Sequence, residues 1–149
     1  MKKVVIHIFH DDASSLGTGS HVSERIRQVK EQQGVALEIY VFGPAEKAIV
    51  GPANGAYRDT LVSLAKNGVP VHVCRSIAEY MGRAEEFTQL GLTLEYARDA
   101  FIRYALEGAT VISFSECLIN ELPVCHSLVG DDDEASLWDA SQHSIRVWS

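Results

Sequence analysis

The sequence predicts an α/β fold: three layers, with a mostly parallel sheet carrying helices on both faces. Short runs rich in Val, Ile, Tyr and Phe alternate with longer segments of helical period along residues 4–114. The strand-like runs are almost continuously apolar, the pattern of strands covered on both sides. At 149 residues and 46% apolar, the chain has the size and composition of one domain that folds without a disulfide or metal staple.

Val4–Phe9 is the first strand, nearly all β-branched or aromatic. Asp11–Ser20, rich in Asp, Ser and Gly, reads as a loop. Val22, Ile26 and Val29 then fall at i, i+4 and i+7 on one helix face, with Ser20 as N-cap and Gly34 as stop. Val35–Phe42 is the second strand; Gly43-Pro44 ends it, because Pro cannot donate to a ladder and Gly permits the turn. Ala45–Val50 reads as a short helix broken by Gly51-Pro52. Tyr57, Leu61 and Leu64 space another, stopped by Gly68.

Val69–Cys74 is the third strand. Ser76-Ile77-Ala78-Glu79 has the form of a capping box and predicts a short helix to Met81, ended by Gly82. Leu94, Ala97, Phe101 and Tyr104 predict a longer helix from near Thr93 to Gly108, and Ala109–Phe114 is the fourth strand. Residues 1–114 form the domain. Residues 115–149 read as a C-terminal extension packed on it or at a subunit interface, with an acidic loop over residues 130–134 and a last strand at Ser144–Trp148. Pro123 argues against a strand across residues 122–124 except on an edge.

Thirteen Lys and Arg against twenty Asp and Glu give a net charge of −7. That balance argues against non-specific nucleic-acid binding and against anionic membrane surfaces. The apolar run at residues 4–9 is too short for a membrane span and has no cleavage-site pattern behind it, so a cytoplasmic protein is expected. Cys74, Cys117 and Cys125 are an odd number without a CxxC, which reads as free thiols in a reducing compartment.

In open parallel sheets, ligands bind beyond the carboxyl ends of the strands. Three such ends stand out: His10-Asp11-Asp12, Gly43-Pro44-Ala45 and Cys74-Arg75-Ser76. Cys74 closes a strand just before a helix start. The helix dipole and the Arg75 charge both favour a thiolate there, the species that attacks sulfur. The alternative is a buried, inert thiol. His72 shares a strand face with Cys74 and is either a partner for it or a core-edge histidine. His10, Asp11 and Asp12, with His7 nearby, are donors that suit a transition metal, but their spacing matches no ligand pattern and a solvated loop is the plainer reading. The Cys117, Cys125 and His126 spacing fits no zinc motif. Gly17-Thr18-Gly19 lacks the full phosphate-loop fingerprint and reads as flexible loop.

Four stretches together resemble the DsrE/DsrF-like family, which includes the sulfur-relay subunits and the YchN-like proteins. They are residues 3–7, residues 38–45 with the Gly43-Pro44 turn, residues 64–74 ending in Cys74, and residues 97–114. The resemblance implies a three-layer α/β fold, a trimeric or hexameric oligomer and sulfur carried as a persulfide on the cysteine matching Cys74. Arg75 and the amides near Ser76 would steady the anion there, beside the Gly43-Pro44 turn. No organic cofactor or metal is required, and the partners implied are a sulfur donor and a sulfur acceptor. The paired arginines before Gly found in some relay subunits are missing from residues 75–82. The competing reading is a non-catalytic oligomeric module that binds a small anionic or nucleotide-like ligand at the strand ends, with Cys74 as a wall residue.

Overall fold

The computed structural model describes residues 1–115 and 144–148. The elements in chain order are β1 (Lys2–Ile8), α1 (Ala13–Val29), β2 (Val35–Val41), α2 (Pro44–Ile49), α3 (Gly55–Lys66) and β3 (Val71–Cys74). They continue with α4 (Arg75–Tyr80), α5 (Ala84–Gln89), β4 (Thr93–Glu95), α6 (Ala97–Glu107), β5 (Thr110–Ser115) and β6 (Ser144–Trp148). The sheet order is β4-β3-β2-β1-β5-β6. Strands β1 to β5 are mutually parallel, and β6 joins the edge antiparallel to β5.

This order explains the layers. From β1 to β4 the chain steps outward in one direction, and right-handed crossovers then place all intervening helices on one face. The return from β4 to β5 runs the other way and puts α6 on the opposite face. Two clusters of buried side chains follow. The larger joins Ile6, Ile8, Ile39, Val41, Val71 and Val73 to side chains of α1 through α5. The smaller packs Val5 and Tyr40 under Ala100 and Tyr104 of α6.

The helix after β1 starts earlier than the sequence suggests. From Ala13 onward the Asp11–Ser20 stretch is helical, not a loop, and Ser20 is not the cap. Asp12 is the N-cap, its carboxylate accepting the Ser15 N–H at 2.7 Å. The low helix propensity of Gly17, Thr18 and Gly19 is overridden by packing. A Cβ on Gly19 would stand 3.0 Å from Ile8 Cδ1, so glycine allows α1 to press against the sheet. Buried Ser20 and Ser23 donate back to the carbonyls of Leu16 and Gly19 at 2.8 and 2.7 Å.

Two further expectations are corrected. The predicted capping box does not form: α4 begins at Arg75 with Cys74 as its N-cap, and no side chain caps it. The long helix starts at Ala97 rather than near Thr93, and a helix the sequence did not predict precedes it. Ala84–Gln89 is helical, Gly91 turns the chain at φ +81°, and Thr93–Glu95 pairs with β3 as an edge strand before α6 starts at Ala97. Cys117, Pro123, Cys125, His126 and the acidic run at 130–134 lie outside the described residues.

Candidate functional site

Parallel pairing sets one face of the sheet in register: Tyr40 beside His72, and Cys74 beside Glu95. Cys74 is a free, buried thiol at the carboxyl end of β3, two strands from the β1/β5 junction where the strand order reverses. It lines an open cleft of about 530 Å³ together with Ser76, Tyr96, Ala97 and Arg98. Arg75 is exposed, and its guanidinium lies 5.7 Å from the centre of the Tyr96 ring. Arg98 is paired with Asp99 at 2.7 Å.

The surroundings of Cys74 are acidic and hydroxylic. Its backbone N–H donates to Glu46 Oε2 at 3.0 Å. Glu46 is fully buried, and its other oxygen has no partner. Burial pushes the carboxyl up to about 8, although the Cys74 N–H pulls the other way. The Tyr40 hydroxyl donates to the Glu95 carbonyl at 3.1 Å. Burial, then the Cys74 sulfur beside it, push that hydroxyl well above the usual phenol range. Tyr57 from α3 is buried, its hydroxyl unpartnered and raised by burial and then by Glu46.

Gly43 and Pro44 reach Cys74 through Glu46. Gly43 takes φ +70°, and a Cβ there would meet Phe9 Cε2 at 2.4 Å, so only glycine fits. Pro44 then opens α2, the helix that carries Glu46. The sequence flagged the turn but not the carboxyl behind it.

His72 shares the Cys74 face, but its nitrogens face carboxylates. Nε2 lies 3.3 Å from Glu38 Oε1, and Nδ1 lies 3.0 Å from Glu95 Oε2 without the alignment of a hydrogen bond. Burial lowers its basicity more than Glu38 and Glu95 raise it. Three donors, on Glu38, His72 and Glu95, fall within 4.8 Å of one another. The space between the two carboxylates is taken by Arg103, bidentate on Glu38 at 2.6 and 3.1 Å and on Glu95 at 2.8 and 3.1 Å. Lys3 and Tyr104 complete the shell of Glu38 at 3.0 and 2.7 Å. This is an ion-pair network that ties β1, β2, β4 and α6 together.

The other sequence candidates disperse. Asp12 is committed as a helix cap, and His10 and Asp11 are exposed. His7 stacks on Phe42 with ring centres 4.8 Å apart, and burial, then His10, lower it to about 4. Gly17, Thr18 and Gly19 lie inside α1 and form no anion-binding loop.

No family model matches the chain, and no curated protein matches it in sequence. Solved structures do match in shape. A conserved protein of unknown function from Bacteroides thetaiotaomicron, BT1422, is 17% identical over 74% of this chain and 92% of its own, with a TM-score of 0.62. The protein of unknown function MTH1491 from Methanobacterium thermoautotrophicum is 17% identical over 74% of this chain and 97% of its own, with a TM-score of 0.58. The ychN protein of E. coli is 16% identical over 71% and 93%, with a TM-score of 0.49. The first two likenesses show a shared α/β fold and leave the activity to be argued from the site.

Proposed function

We propose that this chain handles sulfane sulfur and carries it as a persulfide on Cys74. The observation that supports the reading is placement: a free thiol at a strand's carboxyl end, opening onto a cleft of about 530 Å³. The Cys74 thiolate attacks the terminal sulfur of a donor persulfide, R–S–SH. The donor's S–S bond breaks, the donor sulfur leaves with the electron pair, and Cys74–S–SH forms. Attack by an acceptor thiolate on the same terminal sulfur returns Cys74. Cys74 is 5% exposed, so donor and acceptor must present their sulfur inside the cleft. The reading places the protein in the cytoplasm, where thiols stay reduced; among the described residues no helix is long and apolar enough to cross a membrane.

Mass spectrometry after brief exposure to a persulfide donor tests it, with peptide mapping of Cys74, Cys117 and Cys125. One reducible added sulfur is expected on Cys74, and Cys74→Ser should lose it while remaining folded. Loading confined to Cys117 or Cys125 would sink the relay reading. In that case, a small anion that stabilises Cys74→Ala as well as wild type would support the binding-module alternative.

The same proposal includes self-assembly, to the trimer or hexamer that the family resemblance implies. Helix α6 turns Ile102 and Leu106 outward, at 55% and 83% exposure. Sedimentation of the wild type should give a multiple of 16.4 kDa, and Ile102→Asp with Leu106→Asp should reduce it. A wild type that sediments as a monomer at micromolar concentration contradicts this.

A further inference from the structure

We propose that Glu46 and Cys74 share one negative charge, so that Glu46 sets the pH at which the Cys74 sulfur becomes nucleophilic. The inference rests on the reading of Cys74 as the reactive sulfur and adds a regulator to that site. Its basis is geometry. Glu46 Oε2 accepts the N–H of Cys74 itself at 3.0 Å. That amide nitrogen is three bonds from the sulfur, which holds carboxylate and sulfur within about 7 Å of each other.

Glu46 makes no ion pair among the described residues. The groups that bear on the pair are the neutral hydroxyls of Tyr40 from β2 and Tyr57 from α3, the Glu95 carboxylate in register with Cys74 on β4, itself held by Arg103, and Arg75 and Arg98 on the cleft side, engaged by the Tyr96 ring and by Asp99. Glu46 is fully buried, and its second oxygen has no partner. A carboxylate held so poorly is far from water and from countercharge, and burial lifts it to about 8. Two acids this close, buried away from solvent screening, disfavour each other's ionisation. Such a pair titrates in two steps that belong to both groups. Between the two steps the single charge is divided between sulfur and carboxyl.

Glu46 is thus a positioning residue with an electrostatic hand on the sulfur. The hydrogen bond it accepts from the Cys74 N–H fixes that backbone, and its charge state decides how readily the sulfur ionises. Glu46→Gln separates the two roles, because the side-chain carbonyl still accepts the Cys74 N–H while the charge is gone.

The test is the pH profile of Cys74 alkylation by iodoacetamide, read at that residue by peptide mass spectrometry. In Glu46→Gln the midpoint should fall by about one pH unit or more. The reciprocal measurement is the Glu46 carboxyl titration, followed by NMR in wild type and in Cys74→Ser. If the thiol ionises first, the shift appears there instead, as a fall in the carboxyl midpoint. It also serves if Glu46→Gln fails to fold. A thiol profile unmoved in Glu46→Gln together with a carboxyl titration unmoved in Cys74→Ser overturns the inference. Neither readout uses a persulfide. Shifted profiles without sulfur loading would therefore leave the charge sharing standing and remove only the relay reading.

Discussion

Arg103→Leu is expected to lose about 3 kcal/mol of unfolding free energy at pH 7, much of what holds a domain of this size together. Glu38 stands 3% exposed in the middle of β2, and Arg103 supplies two of its hydrogen bonds. Burial alone would push the Glu38 carboxyl up. The bonds from Arg103, Tyr104 and Lys3 outweigh it and hold the group at about 2, below its ordinary 4.5. Removing one partner of such a pair leaves a buried charge uncompensated, whereas removing both is much milder. Arg103→Leu with Glu38→Leu should therefore recover a large part of the loss. Lys3 and Tyr104 remain on Glu38 in the single variant, which sets the estimate at the low end of the range for buried pairs. The sign with pH follows from the depressed carboxyl: its contribution is present above 4.5 and is lost as pH falls towards 2. The gap between wild type and Arg103→Leu should narrow over that interval. Urea unfolding of the three proteins at pH 7 and pH 3 measures it. A single variant within 1 kcal/mol of wild type at pH 7 would show that Lys3 and Tyr104 suffice.

That network also marks the boundary of what the sequence discloses. The strands are legible because their Val, Ile and aromatic content is local. So is the cysteine at the end of β3, since strand end and helix start are both written within a few residues. The Glu38–Arg103 contact spans 65 positions and leaves only one local trace, a charged residue inside an otherwise apolar strand. Strand β4 is three residues long and exists because β3 offers it a ladder, so its own pattern is absorbed into the helical period that follows. The early start of α1 is hidden because Gly19 and the buried serines are explained by Ile8 and by backbone carbonyls, not by propensity. Glu46 is the costliest omission. Helix α2 has six residues, too few to show which face is buried, and the amide that holds Glu46 is 28 positions away.

Glu46→Gln should change the pH dependence of stability more than any other single substitution at this site. In the folded protein the carboxyl is lifted by burial to about 8, against an ordinary 4.5. A folded value above the unfolded one gives a contribution fully present below 4.5 and lost as pH rises through about 8. Over that interval the wild type should therefore lose about 4 kcal/mol that Glu46→Gln keeps. Glutamine brings its own cost, because its NH₂ replaces an oxygen that already lacks a partner, an effect of about 1–3 kcal/mol. That cost does not vary with pH. The informative quantity is the difference between the two proteins at pH 8 minus their difference at pH 5, in which the packing cost cancels. Urea unfolding at the two pH values should give about 4 kcal/mol in favour of glutamine, and parallel pH profiles would show that the buried carboxyl does not titrate in this range. A domain selected for stability alone would gain from a neutral side chain at position 46, since the acid destabilises the fold across neutral pH. Charge sharing with Cys74 gives a physical reason to keep it, because glutamine can hold the Cys74 amide but cannot divide a charge with the sulfur.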